Sequence, residues 1–267
     1  ELLLEVPLER IEDVTLIDSV QISSELISEF LQRGIPLSWI SGRGRFFGSL
    51  LSNSSVDILK HEQQFALLKN EKFYFSLAQK VVFAKVHNQL TILRRYNRNL
   101  GLDSVETAIR NILAVRKNIF FTQDTRTLMG YEGIISRTYF SALGEIVPEE
   151  FKFEKRSKMP PRDPFNSMLS LGYSMLFNEI LSDLIAVGLH PYVGFMHKIA
   201  KGHPALASDL IEEWRAPLID AMVLAMVKRN MITADMFYVT DEGCFLCTEA
   251  RKIFLQVYNK KLRSDNQ

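Results

Sequence analysis

The stretch Glu71–Arg98, with the sequence EKFYFSLAQKVVFAKVHNQLTILRRYNR, decides the fold class of this chain. Apolar residues recur in it at intervals of three and four, which places them along one face of an α-helix. The preceding stretch, Asp57–Lys69, has the same period. A helix this long and apolar must bury its face against several neighbours. A large helical domain is therefore predicted from about residue 57 onward.

Cap residues mark further helices downstream. Asp103 followed by Glu106 has the spacing of a capping box, and Asp163 followed by Pro164 predicts a helix start with proline at the first position. The stretch 144–162 is polar and contains prolines, so it is predicted to be a loop. The other predicted elements are helices over 103–121, 124–143, 163–188 and 205–229, a hairpin over 237–246, and a last helix capped by Thr248.

The first 55 or so residues have a different pattern. Ser23 is a cap candidate for a short helix that ends at Gly34, and short apolar runs around it predict strands. The predicted strands are 2–6, 14–17, 35–40 and 45–51. The chain is therefore predicted to be α+β, with a small β-rich domain over 1–55 and a larger all-α domain over 57–267. Because Glu1 opens inside an apolar run, we expect the β-rich domain to be incomplete at its start.

Composition narrows the class of protein. The 267 residues carry a net charge of +1, with 47% hydrophobic and 24% charged residues, an ordinary globular balance that argues against disorder. The apolar runs are too short to span a bilayer and no signal peptide is visible, so we expect a cytoplasmic protein without a membrane partner. Cys244 and Cys247 are interpreted as reduced thiols, with a redox or shared metal role as the alternative.

A glutamate between two glycines is the first candidate for chemistry. Glu132 lies between Gly130 and Gly133 within a predicted helix, where each glycine costs about 1 kcal/mol relative to alanine. The close approach of another backbone or of a ligand is the usual reason for such a glycine. Taken by itself, however, Glu132 is better explained as an exposed glutamate on a weak helix.

Two further places carry metal-ligand residue types. His197 follows an apolar stretch, and Asp209 and Glu212, three residues apart, share one helix face. Taken singly, these are better explained as a hydrogen-bonded histidine and a solvated acidic face. Together with Glu132, however, two carboxylates and an imidazole form a ligand set for Mg²⁺ or Mn²⁺, and the imidazole favours Mn²⁺.

Four segments of the helical region form an ordered series. They are GYEG at 130–133 with RTYF at 137–140, RDPFN at 162–166 leading to GY at 172–173, GLHPYVGFMH at 188–197, and LASDLIEEWR at 206–215. Their order and spacing resemble the successive blocks of CRISPR-associated protein one, the adaptation integrase family. The stretch 34–50 also resembles that family's β domain, so the resemblance covers nearly the whole chain. His190 departs from it, since relatives have aspartate or asparagine there.

The resemblance implies a metal-dependent DNA endonuclease and integrase of CRISPR adaptation. Such an enzyme joins the 3′-hydroxyl ends of short captured DNA to CRISPR repeat DNA by transesterification. The resemblance implies that Glu132, His197 and Glu212 are the catalytic and metal-binding residues, with Mg²⁺ or Mn²⁺ as the cofactor. Asp209, in the same block, is either a further ligand or a hydrogen-bond partner. Asn166 supports the site rather than binding the metal.

The resemblance also implies the partners. They are double-stranded DNA, a second copy of the chain in a homodimer built through the β domain, and CRISPR-associated protein two, which bridges two dimers in the prokaryotic cytoplasm. Because the net charge is close to zero, the chain has no overall basic field, and any phosphate contacts must come from local clusters of basic residues. A solvated face or a flexible loop is the alternative for each cluster. The candidates for DNA contact are Arg94, Arg95, Arg98, Lys158, Arg162, His203 and Arg215, with Lys85 upstream of the first three.

Some residues near these clusters keep two interpretations. Phe151 and Phe153 alternate with basic residues in the 144–162 loop, where they either pack beneath the loop or stack on unpaired bases. Arg43 and Arg45, in the turn of the β-rich domain, contact DNA or lie near a subunit interface. Two rival functions also stay open. One is a metal-dependent phosphohydrolase of a small substrate, and the other is a non-catalytic helical DNA-binding module.

Overall fold

The computed structural model describes residues 4–42, 46–50, 52 and 56–263. The predicted strand over 2–6 is wrong in its described part, because residues 4–6 form no strand. The predicted turn with Arg43 and Arg45 lies outside the described residues.

In the described part, the strands are β1 Val14–Ile17, β2 Leu37–Ile40, β3 Phe46–Leu50, β4 Phe237–Thr240 and β5 Gly243–Leu246. The helices are α1 Ser24–Arg33, α2 Ile58–Leu67, α3 Glu71–Leu100, α4 Asp103–Arg116, α5 Thr125–Ile146, α6 Pro164–Ala186, α7 Ala205–Trp214, α8 Ala221–Lys228 and α9 Thr248–Leu262.

The N-terminal region is a three-stranded sheet covered by one helix. Strand β2 lies in the middle, parallel to β1 and antiparallel to β3. Helix α1 begins where the Ser23 side chain accepts a hydrogen bond from the Leu26 amide, and it ends at Gly34 with a φ of 72°. The amide of Ile35 is bonded to the Phe30 carbonyl, so strand β2 begins at Leu37 rather than at residue 35.

The predicted helical region forms the larger part of the fold, which confirms the α+β class. Helix α3 is 30 residues long and packs against α4, α5 and α7. Its buried face supplies Val82, Val86 and Leu93 to a core that continues through α5, α6 and α8. The predicted domain limits at 55 and 57 stay a prediction, although the first sheet ends at Leu50 and α2 begins at Ile58.

Two predicted helix caps are wrong. Asp103 lies inside α4, because the preceding Leu102 takes the N-cap position and is held by the buried Asn97 side chain, 2.9 Å from its amide. Thr248 likewise lies inside α9, and Cys247 is the cap residue, with its Sγ accepting a bond from the Ala250 amide at 3.4 Å. Cys247 therefore has a structural role that its spacing from Cys244 did not indicate.

Two helix ends also differ from prediction. Helix α4 stops at Arg116, short of residue 121, and a 3₁₀ turn over Ile119–Phe121 follows it. The helix predicted over 124–143 extends to Ile146, so Gly144 lies in α5 rather than in the loop. An added Cβ at Gly144 would lie 2.7 Å from the Phe153 carbonyl oxygen, which means that the following loop folds back onto this turn of helix.

The helix predicted over 205–229 is interrupted by a π turn. Helix α7 continues into a π-helical segment, Arg215–Asp220, before α8 begins. Pro217 explains the interruption, because it has no amide hydrogen to donate to the Glu213 carbonyl four residues earlier. The Asn88 side chain donates to that carbonyl instead, at 2.8 Å. The wider turn keeps Arg215 and Asp220 beside the same cavity.

An acidic cleft of about 830 Å³ lies between the first sheet and helices α6 and α9. Burial, together with Asp13 and Asp183, raises the pKa of Glu179 to about 7, and Arg263 opposes this shift. Glu12 also lines the cleft. Because the folded state holds a proton on Glu179 that the unfolded state releases near pH 4.5, this group lowers stability as pH rises from about 4.5 to 7.

Replacing Glu179 by glutamine is therefore expected to stabilise the protein above pH 7. The gain should be about 1–3 kcal/mol in the free energy of unfolding at pH 8, and it should disappear near pH 4.5. Urea unfolding at both pH values measures it. Replacing the exposed Glu62 by glutamine is the control, and its effect should not differ between the two pH values. A Glu179→Gln gain of equal size at both pH values would contradict the explanation.

No helix in the described part of the chain is long and apolar enough to cross a membrane.

Candidate active site

A cavity of about 620 Å³ opens between helices α3, α5, α6 and α7 and the loop that precedes α6. Glu132 from α5, Glu212 from α7 and His197 from the segment before α7 all line it. The structure thus brings together three side chains that are far apart in the sequence. These are the residues singled out from the sequence as a metal-ligand set.

Lys85 lies at the centre of this cavity wall. Its ammonium is hydrogen-bonded to a carboxylate oxygen of Glu132, and its Nζ is 2.6 Å from Glu212 Oε2. The three side chains are 9%, 15% and 7% exposed for Lys85, Glu132 and Glu212 respectively. Lys85 therefore does not belong to the surface basic cluster at the end of α3, but is a buried cation shared by two carboxylates.

The charge state of Glu212 is fixed by its neighbours. Burial would raise the pKa of this carboxyl, but Lys85 and Arg215 outweigh burial and lower it to about 2. Arg215 Nη1 is 2.9 Å from Glu212 Oε1, so each carboxylate oxygen faces a different cation. Burial opposes the charge on Lys85, yet Glu212 and Glu132 raise the pKa of its ammonium. Glu212 and Lys85 thus carry opposite charges at neutral pH.

Asp209 orients His197. It is fully buried, and its carboxylate accepts bonds from the backbone amides of Phe195, Met196 and His197. Its Oδ1 is also 2.7 Å from His197 Nδ1. Gly194 permits this approach, because an added Cβ there would lie 2.7 Å from Asp209 Oδ2.

These contacts determine which atoms of His197 and Asp209 can still bind another group. A carboxylate at Nδ1 favours the tautomer with hydrogen on that nitrogen, which leaves the Nε2 lone pair for another partner. Both oxygens of Asp209 already accept hydrogen bonds from the protein. Its position is that of a hydrogen-bond partner of the histidine.

A buried carboxyl bonded to two tyrosines also lies at this cavity, whose lining includes Asp220 and Tyr173. Asp220 accepts hydrogen bonds from Tyr139, at 2.8 Å, and from Tyr173. Burial raises the pKa of Asp220 to about 6, although both tyrosine bonds oppose the shift. The guanidinium groups of Arg156 and Arg215 lie over the Tyr173 ring, 5.2 and 5.0 Å from its centroid. This group was not recognised in the sequence, where Asp220 stands in an apolar helical stretch.

The loop before α6 is ordered by Asn166. This side chain is fully buried, accepts from Arg156 Nη1 at 2.8 Å, and donates to Lys155 O and Asp163 Oδ2. Phe153 stacks on Phe165 with centroids 5.1 Å apart, and Phe151 is completely buried. The two phenylalanines thus pack beneath the loop, and the loop in turn presents Arg156 and Lys158 to the cavity.

The candidate DNA contacts fall into three groups. Lys158 and Arg215 line the cavity beside the two glutamates, and burial together with Arg215 lowers the pKa of Lys158. Arg95 and Arg98 line a second, basic pocket of about 380 Å³. Arg94 and Arg162 are exposed and line neither the cavity nor the basic pocket. His203 is half-buried, and its ring centroid lies 6.1 Å from that of His197.

The two carboxylates and the imidazole of the cavity are ligand types that suit a divalent cation, although the Lys85 ammonium lies between the carboxylates. Among the described residues, no group of three or more His, Cys, Asp or Glu side chains is arranged closely enough to hold a metal ion. The Lys85 ammonium lies between Glu132 and Glu212. Two carboxylates from separate helices thus converge on one positive charge, and carboxylate oxygens are ligands that hard divalent cations take.

The sequence model of the family CRISPR associated protein Cas1 matches residues 1–260. The chain belongs to the Cas1 family. CRISPR-associated endonuclease Cas1 3 of Thermus thermophilus is 34% identical over 262 residues, which cover 98% of this chain and 76% of that protein. These matches confirm the resemblance that the four ordered segments indicated.

Solved structures agree with this membership of the Cas1 family. A CAS1 protein from Thermotoga maritima has a TM-score of 0.84 at 23% identity, covering 97% of this chain and 82% of that one. A chain of a Cas6-RT-Cas1–Cas2 complex has a TM-score of 0.83 at 26% identity, covering 98% of this chain and 30% of that one. The β-rich start and the helical remainder are thus shared with proteins of the Cas1 family.

Proposed function

We propose that the chain is a divalent-metal-dependent DNA integrase and endonuclease of CRISPR adaptation. In this proposal it joins the 3′-hydroxyl end of a short captured DNA to CRISPR repeat DNA by transesterification. The observation that carries the proposal is that Glu132 and Glu212 converge on one positive charge, the Lys85 ammonium. They do so in a cavity that is also lined by His197 and by basic side chains. The endonuclease named among its Cas1 relatives supports the same class of reaction.

The residues have separate roles in this reaction. Glu132, Glu212 and His197 Nε2 would hold a Mg²⁺ or Mn²⁺ ion, which supplies Lewis-acid stabilisation of a phosphodiester when bound. Asp209 positions the imidazole through Nδ1, and its buried bonds support a hydrogen-bond role over direct ligation. Arg156, Lys158 and Arg215 offset the negative charge of phosphates that enter the cavity.

A path for DNA beyond the cavity runs along helix α3. The basic pocket near its end is lined by Arg95, Arg98, Lys228 and Arg229, with Tyr96 between them. Ten to thirteen residues separate Lys85 from Arg95 and Arg98, which is roughly 15–20 Å at 1.5 Å per helical residue. Phosphate contacts at both places would hold a duplex in register without reading its sequence. Arg94, Arg162 and His203 remain predicted DNA contacts.

The assembly is part of the proposal. The match to a chain of a Cas6-RT-Cas1–Cas2 complex supports a Cas2 partner here. We propose a homodimer formed through the β-rich region, with Cas2 bridging two dimers across the captured DNA. Such an assembly acts on chromosomal DNA, and we therefore place it in the prokaryotic cytoplasm.

Strand transfer tests this proposal. A labelled duplex oligonucleotide and supercoiled plasmid carrying a CRISPR array are incubated with the protein and Cas2, in Mn²⁺, Mg²⁺ or chelator. We expect metal-dependent joining that falls by about a hundredfold or more in His197→Ala, as when one transition-state stabiliser is removed. His87→Ala, an exposed histidine on α3, is the matched control and should keep full activity.

The other outcomes separate the rival functions. Joining that is unchanged in His197→Ala would refute the site assignment. DNA binding that persists in chelator, with no joining under any condition, favours a non-catalytic DNA-binding module. Metal-dependent release of phosphate from small esters, without a long DNA footprint, favours a phosphohydrolase.

The two glycines around Glu132 give a further prediction. An added Cβ at Gly130 or Gly133 would meet, apart from its chain neighbours and the backbone of its own helix, no atom of the described protein within 4 Å, so packing against other elements does not require either glycine. Replacing Gly133 by alanine should therefore raise the free energy of unfolding by about 0.5–1 kcal/mol, as alanine favours the helix. If the glycines admit the DNA backbone, the same variant should lose DNA affinity and joining. The exposed Ser141→Ala on the same helix is the control for helix propensity. A Gly133→Ala protein with full DNA affinity would show that the space serves no close approach.

A further inference from the structure

Lys85 occupies the position that a metal ion would need. Its ammonium is bonded to Glu132 of α5 and lies 2.6 Å from Glu212 of α7. These two carboxylates belong to separate helices, and α3 supplies the cation between them. The arrangement is thus complete in charge without a bound ion.

The contacts around the pair leave little freedom for the carboxylates. Ser136 Oγ donates to Glu132 Oε1 at 2.7 Å, and Arg215 Nη1 lies 2.9 Å from Glu212 Oε1. The side chains of both glutamates are largely buried. Because Ser136 and Arg215 also hold the carboxylates, Lys85 is the group that must move when another cation enters.

Lys85 is able to make this movement. Two like charges about 4 Å apart repel by about 4 kcal/mol even at an effective dielectric constant of 20, so the ammonium and a divalent ion cannot share the same oxygens. The lysine has a flexible four-carbon stem and lines the cavity of about 620 Å³. The ammonium can swing into that space while its backbone stays in α3.

We propose that Lys85 is a built-in counter-ion that competes with the divalent metal for Glu132 and Glu212. In the metal-free protein it holds the two carboxylates together and prevents their mutual repulsion. On metal binding it gives up both contacts, so that part of the binding free energy of the metal is spent on its displacement. Lys85 thus sets the metal concentration at which the site fills. This inference rests on the proposed metal-dependent function.

The test is a calorimetric titration of Mn²⁺ into the DNA-free protein. Lys85→Met removes the competing charge and is expected to bind Mn²⁺ at least about tenfold more tightly than the wild type, because a like charge has left the site. The matched control is Lys80→Met, an exposed lysine on the same helix, whose affinity should equal that of the wild type. Lys85→Arg keeps a positive charge and should bind Mn²⁺ no more tightly than the wild type.

Thermal melting gives an independent readout. Without metal, Lys85→Met should melt below the wild type, since two buried carboxylates have lost their shared partner. Saturating Mn²⁺ should raise its melting temperature more than that of the wild type, because ligands stabilise according to their affinity. Lys85→Gln, which is neutral but still donates hydrogen bonds, serves if the methionine variant does not fold, and it should also bind Mn²⁺ more tightly.

The outcomes distinguish the inference from the proposed function. Equal Mn²⁺ affinity in the wild type and in the neutral Lys85 variants overturns the competition. Binding in the neutral variants with none in the wild type supports it in its strongest form. Mn²⁺ binding to none of the proteins overturns the metal site itself, and the competition with it.

Discussion

Replacing Glu212 by glutamine is expected to reduce DNA joining by about a hundredfold to a thousandfold, the loss seen when one preorganised charge-stabilising group is removed. Glutamine has nearly the same shape, and its carbonyl oxygen can still accept from one of the two cations, Lys85 or Arg215, so the fold should persist with some loss of stability. What it lacks is the negative charge that these two cations maintain down to about pH 2. Single-turnover strand transfer with Mn²⁺ and Cas2 measures the effect.

The adjacent residue provides the control for Glu212. Glu213 lies next to it on α7, is half-buried, and does not line the cavity. Glu213→Gln should therefore keep joining within about twofold, as expected for a surface change away from the reacting groups. If both variants lost activity equally, the effect would belong to α7 as a whole. If neither did, Glu212 would have no part in the reaction.

Replacing Asp209 by alanine is expected to cost both stability and activity. The change leaves three backbone amides without their acceptor, the buried one of Met196 and the partly buried ones of Phe195 and His197. We expect a loss of roughly 3–5 kcal/mol in the free energy of unfolding, since each unsatisfied buried donor costs about 1–3 kcal/mol. His197 also loses its orienting partner, so joining by the remaining folded protein should fall about 10–100-fold.

Asp209→Asn separates the two effects. Its amide oxygen still accepts from part of the 195–197 segment, so much of the stability should return, as urea unfolding would show. The negative charge at His197 Nδ1 is absent, however, so we expect both variants to bind Mn²⁺ about 10–100-fold more weakly than the wild type. Recovery of metal affinity together with stability would show that Asp209 acts by holding the segment and not by tuning the imidazole.

The fold was predictable because its signals are local. The period of α3, the caps at Ser23 and Asp163, and the helix end at Gly34 each act within one or two turns of helix. The errors arose where a single side chain overrides the periodic pattern. The Asn97 side chain takes over the start of α4, and Pro217 changes the turn after α7.

The candidate site was only partly predictable. Glu132, His197 and Glu212 stand out by residue type and by resemblance, and all three line one cavity. Lys85 was missed as a site residue, although the signal was present, because it shares the buried face of α3 with Val82 and Val86. A lysine among apolar residues on that face indicates a buried partner. The partners themselves are 47 and 127 residues away, beyond any local pattern.

The π turn over Arg215–Asp220 has a consequence for how this part of the chain can change in length. A π turn holds more residues than the α-helical turn it replaces, so removing one residue would yield a more regular and more easily formed helix. The helix after the turn would keep nearly the same orientation relative to Glu212, because the π turn had already absorbed the extra residue. Asp220, at the end of the turn, should then keep its bonds to Tyr139 and Tyr173. A Cas1 homologue with one residue fewer across 212–220 should therefore have an uninterrupted α-helix here, with its following helix packed as α8 is in this chain.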